Sequence, residues 1–136
     1  MLSLVWRISL EPGTLLAVLD RIIGHLPKPP NVVRREGTFD PYGRGKNDRS
    51  GFNYSVSEGP EMDDVLHDLG HFLDSLDVIW TELRALLPSD TELDLGFDVG
   101  VDKHFTRTVR FPPKTLDRLA SRNILLAVSA YPPPDE

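Results

Sequence analysis

Residues 61–102 read EMDDVLHDLGHFLDSLDVIWTELRALLPSDTELDLGFDVGVD, and the spacing of their apolar positions changes once along the way. At about 100° per residue, Met62, Leu66, Leu69, Leu73, Leu76, Trp80, Leu83 and Leu87 form one stripe, widened by Val65, Phe72 and Ile79. The pattern predicts an amphipathic helix from Glu61 to Leu87, stopped by Pro88. From Leu93 to Asp102 apolar and other residues alternate strictly, which predicts a strand. One face of that strand is wholly apolar, and the other consists only of Asp94, Gly96, Asp98, Gly100 and Asp102.

Upstream, Leu4, Trp6, Ile8 and Leu10 mark the apolar face of a strand that Pro12-Gly13 breaks. Thr14 is the expected N-cap of a helix whose stripe runs Leu15, Leu16, Leu19, Ile22, Ile23, Leu26 and which Pro27 ends. A proline-rich connector leads to a short edge strand over 32–37, and Thr38 to Gly51 forms a long loop. Phe52, Tyr54 and Val56 alternate with polar residues as another strand.

Downstream, Phe105 to Phe111 is expected to return as a strand. Pro112-Pro113 opens a short helix with Leu116, Leu119 and Ala120 inward, and Asn123 ends it. Ile124 to Tyr131, rich in aliphatics, is expected to lie centrally in the sheet. The predicted fold class is α+β: a single, mostly antiparallel sheet of five or six strands with three helices mainly on one face. It starts as the ferredoxin-like order β-α-β-β-α-β and continues β-α-β. Residues 1–131 make one domain and 132–136 a proline-rich tail.

A chain of 136 residues with 40% hydrophobic and 26% charged residues has the composition of an ordinary globular domain. With no cysteine, disulfides, thiolate metal sites and a cysteine nucleophile are excluded. The longest apolar run, Ile124 to Val128, is far short of the roughly 20 residues that span a membrane. The first ten residues do not have the form of a secretory signal, so the expected location is the cytoplasm.

Charge is unevenly spread. Residues 58–102 hold thirteen acids against the single Arg84, while the flanking segments each carry a surplus of three positive charges. No basic cluster suits phosphate neutralisation, so nucleic acid is not an expected partner. The acidic stretch fits a surface that attracts a basic protein, although acids near a helix start also simply complement its dipole.

Asp94, Asp98 and Asp102 lie along one strand face about 13 Å apart, too far to share a proton. They read as a binding row with Asp64 and Asp68 of the helix, and Gly96 and Gly100 would let another chain approach closely. The same residues would also blunt an exposed edge against aggregation. Tyr42 and Arg44, beside Lys46 and Arg49 in the long loop, are a second recognition candidate.

His67 and His71 stack four residues apart on the helix, as paired zinc ligands do. Asp68 stands where a metalloprotease motif has glutamate, and both histidines lie about 160° from the apolar stripe, on the wet face. No serine elbow, phosphate loop or dinucleotide motif is present, so no catalytic residue, metal or cofactor is expected.

Phe111-Pro112 followed by Leu116, Leu119, Ala120, Ile124, Leu126 and Tyr131 resembles the closing helix–strand unit of the bacterial family catalogued as domain of unknown function 4279. Trp6 and the Leu15 to Leu26 stripe are compatible with it. The resemblance implies an α+β fold and brings no catalytic residues. In size and charge such proteins are similar to immunity proteins, which neutralise toxins by binding them. The expected function is therefore a non-enzymatic protein-binding module with a basic partner. A small metal-dependent hydrolase using His67 and His71, or a homo-oligomeric domain, are the alternatives.

Overall fold

The computed structural model describes residues 1–40, 43, 45–98 and 108–131. The elements run β1 (Leu2–Ser9), α1 (Leu16–His25), β2 (Val32–Arg34), β3 (Gly51–Gly59), α2 (Met62–Leu83), β4 (Thr91–Asp98), α3 (Pro113–Ala120) and β5 (Ile124–Tyr131). They form one five-stranded sheet in the order β2-β3-β1-β4-β5. The first four strands pair antiparallel, which gives the expected interleaved β-α-β-β-α-β arrangement. The α3 crossover then adds β5 parallel to β4. All three helices cover one side, and the fold is α+β.

β1 is the middle of the sheet because its alternation is cleanest. Leu2, Leu4, Trp6 and Ile8 are all fully buried beneath the helices. Trp6 meets Phe52, Tyr54 and Phe72 edge-on at 6.0, 6.4 and 5.4 Å between ring centres. Its indole Nε1 donates to Thr91 Oγ1 over 2.8 Å, tying β1 to the start of β4. The α2 stripe supplies the cover through Val65, Leu69, Phe72, Leu73, Leu76 and Leu83, all buried.

A shift of register between Leu4 and Val5 leaves Val56 as an extra residue in β3, since Leu4 pairs with Ser57 and Val5 with Ser55. Before this bulge Phe52 and Tyr54 point to the core; after it Ser57 does.

Several expectations are corrected. Thr14 does not cap α1: its hydroxyl donates to the Glu11 carbonyl and closes a turn, and Leu15 occupies the cap position. α2 ends at Leu83, where the amides of both Leu86 and Leu87 turn back onto its carbonyl. β5 is an edge strand, not a central one, because the crossover places it outside β4. The strand expected over 105–111 is not formed at 108–111, and 105–107 lie outside the described residues. The proline-rich tail 132–136 also lies outside them. α3 ends at Ala120 with Ser121 as its cap, and Asn123 closes the following turn, in the left-handed region at φ 52° with its amide on the Ala120 carbonyl.

Gly51 is needed where β3 begins. A Cβ there would collide with the Ile8 carbonyl oxygen and stand 3.2 Å from Arg34 Nη2. Gly51→Ala should therefore destabilise the fold by about 1–3 kcal/mol, the usual range for overpacking. Urea unfolding of the variant checks this, and an unchanged midpoint would mean that β1 and β3 part without cost.

Candidate functional site: the outer face of the long helix

The residues outside the α2 stripe are turned to solvent, with Asp68 leaning back toward β3. Asp64, His67, Asp68, His71, Asp74, Asp77 and Val78 are all exposed, Val78 to 83%. At the helix start, Asp63 and Asp64 stand in the first turn, where negative charge complements the free amides. Further along, the acids meet cations of the same chain. Arg118 Nη2 reaches Asp74 Oδ1 at 2.8 Å and Asp77 Oδ2 at 3.2 Å, and Arg122 also pairs with Asp77. Burial lowers the Arg122 guanidinium pKa from its ordinary value, with Asp74 acting in the opposite direction. α3 thus neutralises the second half of the α2 surface and leaves the first half negative.

Asp68 is exposed yet tethered: Ser57 Oγ donates to its Oδ2 over 2.6 Å. This bond exists because the β3 bulge turns Ser57 toward the helix. Asp68 and His71 border a cleft of about 210 Å³ together with Lys28, Tyr54 and Ser75. Tyr54 lies under Lys28 Nζ at 5.2 Å, and burial raises its phenol pKa while a hydrogen bond to the Lys28 backbone lowers it.

The two histidines face each other, with His67 Nε2 and His71 Nε2 3.0 Å apart and the rings nearly perpendicular. At that distance one Nε2 can donate to the other when its ring carries the proton there. Among the described residues no group of three or more His, Asp or Glu side chains is placed to hold a metal ion.

The strand-face row is corrected at its first member. Asp94 is 7% exposed and is not displayed for docking. Its Oδ2 accepts from Arg7 Nη2 at 3.2 Å and its Oδ1 from Ser129 Oγ at 2.8 Å, so it bridges β1 and β5 across β4. Gly96, expected to leave backbone uncovered, lies beneath Tyr131, whose ring would stand 2.9 Å from an added Cβ. Asp98 is exposed at the end of β4. Asp102, Tyr42 and Arg44 lie outside the described residues, as does Gly100.

No protein-family model, curated protein or solved structure matches the chain. Among the described residues no helix is long and apolar enough to cross a membrane.

Arg7, Arg118 and Arg122 are the residues that sequence reasoning missed. Arg7 is the one charge in β1, but only strand pairing brings it beside Asp94. Asp94→Asn should lower stability by about 1–2 kcal/mol, because it leaves the Arg7 guanidinium without its anion while partial exposure screens the loss. Equal urea midpoints for the variant and the wild type would show that the pair does not hold the sheet.

Proposed function

We propose that the protein is a non-enzymatic binding module that holds a basic protein against the outer face of α2. The observation that carries this reading is one exposed helix stripe in which Asp64 and Asp68 lead toward Val78, 83% exposed. Charge steers the encounter and an apolar residue on the same stripe gives it an anchor. Asp98 is set apart from the stripe, on β4, and Asp94 drops out of the surface. In its sharper form the partner is a toxin and the module acts as an immunity-type protein of a bacterial cytoplasm. The resemblance to domain of unknown function 4279 brings no site residues and bears on the fold alone; of its positions Leu119 and Ile124 are buried, while Leu116, Ala120 and Tyr131 are exposed.

Affinity capture from a bacterial lysate, followed by mass spectrometry, supplies the partner, and a binding titration then tests the face. Asp64→Asn/Asp68→Asn should weaken the complex about threefold to tenfold, in line with roughly 0.2–1 kcal/mol per exposed charge pair. Asp74→Asn, whose carboxylate already faces Arg118, should do less. Equal affinity for wild type and the double variant, or binding insensitive to salt, would overturn the reading.

A homo-oligomer is favoured by one separate observation. The edge strand β5 carries no charge over eight residues, and Leu125, Val128 and Tyr131 are 56%, 52% and 45% exposed. The other edge, β2, is three residues long and ends in Arg34, as protected edges do. Two copies pairing β5 antiparallel about Val128 would set Leu125 of each opposite Tyr131 of the other, on one face. Such a pairing is small against the roughly 1,200–2,000 Å² of a stable interface, so the expected dimer forms only at high micromolar concentration. Light scattering over a concentration series should show it, and Val128→Lys should abolish it. A monomeric mass throughout the series ends this reading.

A further inference from the structure

Away from the helices, the end of β1, the start of β3, the start of β4 and the loop before β3 enclose a cleft of about 390 Å³. Three arginines line it, each from a different element. Arg7 is directed there because its neighbours Trp6 and Ile8 take the core face of β1. Arg34 is directed there because the β2–β3 register puts Val32 and Arg34 on the side of Asn53, opposite the buried Phe52. Arg49 comes from the loop.

Arg34 is held in place by uncharged groups. Its Nη1 donates to Asn53 Oδ1 at 3.1 Å and its Nη2 to the Ile8 carbonyl at 3.4 Å, across the space that Gly51 leaves open. Burial lowers its pKa, the neighbouring Arg7 lowers it further, and Asp40 acts in the opposite direction. Arg7 spends one nitrogen on Asp94, while its buried Nε has no hydrogen-bond partner among the described residues. Arg49 forms no ion pair with any described residue. Glu11, Asp90 and Glu92 also line the cleft, yet none of them forms an ion pair with the three arginines. A clip between strands accounts for the two bonds of Arg34. It does not account for gathering three guanidinium groups around one opening, where they repel one another.

We propose that this cleft binds a small molecule through an oxyanion, a phosphate or carboxylate group held between Arg34 and Arg49 with Arg7 behind it. Guanidinium forks match both groups in geometry, and the volume lies within the roughly 300–1,000 Å³ of small-molecule sites. The acids on the lining favour a ligand that carries hydroxyl or amino donors beside its anion. The site is independent of the α2 surface and of whatever that surface binds.

Melting of the full chain is measured against rising inorganic phosphate and, separately, rising succinate, with chloride holding ionic strength constant. Phosphate strengthens most folds without binding a site, and that general effect does not saturate. The expected result is a saturating rise in melting temperature with at least one anion, at least tenfold weaker in Arg49→Gln, whose side chain is exposed and makes no ion pair with any described residue. Phosphate alone saturating would identify a phosphate ligand, and succinate alone a carboxylate. Arg34→Lys should also weaken it, since a lysine keeps the charge and loses the fork. No saturation with either anion, or the same saturation in Arg49→Gln, would overturn the proposal.

Discussion

Everything in this molecule is placed relative to β1, the strand bonded on both sides whose four inward side chains are wholly buried. A strand has two faces in strict alternation, so a slip of one residue would exchange Trp6 with Arg7. The slip is blocked by the three aromatic rings that surround Trp6 edge-on and by the indole bond to Thr91. A fully buried Trp contributes several kcal/mol of apolar burial, against about 1 kcal/mol net for one hydrogen bond. Packing thus holds the register, and the hydrogen bond selects where β4 begins. The wet face then follows: Arg7 meets Asp94 because Trp6 meets Phe72.

The local periods are legible in the amino-acid order alone, since each depends on residues a few positions apart. The α2 stripe, the alternation of β1 and the left-handed turn at Asn123 are all of that kind. So is the wet placement of His67 and His71, which needs only rotation about the helix. What escapes depends on contacts across the chain. The bulge at Val56 adds one residue to a run of alternating serines and looks the same from sequence with or without it, yet it turns Ser57 toward Asp68. The aliphatic run of β5 suits a central strand, and only the single crossover through α3 puts it at the edge. Asp94 is the largest reversal. Its neighbours at Gly96 and Asp98 suggest an open row, but Tyr131 lies over Gly96 and Arg7 reaches Asp94 from the adjacent strand.

The acids of residues 58–102 therefore have separate fates, although they stand together in sequence. Asp94 is buried against Arg7, Asp74 and Asp77 are matched by α3, and Asp63 and Asp64 remain at the α2 start. Sequence charge density is consequently a poor measure of surface potential; what counts is which acids the fold leaves without a cation nearby.

The same sorting leaves two separate charged surfaces on opposite sides of the sheet. Asp63, Asp64 and Asp68 sit on the outer side of the helix layer, while Arg7, Arg34 and Arg49 gather at the opposite, uncovered face beside Glu11, Asp90 and Glu92. Between them lies an apolar layer at least one helix thick, roughly 10 Å, so no ligand on one side touches the contacts of the other. A basic protein and a small anion could then occupy the two sides at once, and neither would compete for the other's contacts. That separation follows from covering a sheet on one face only: the covering helices present one surface outward, and the bare strands present the other.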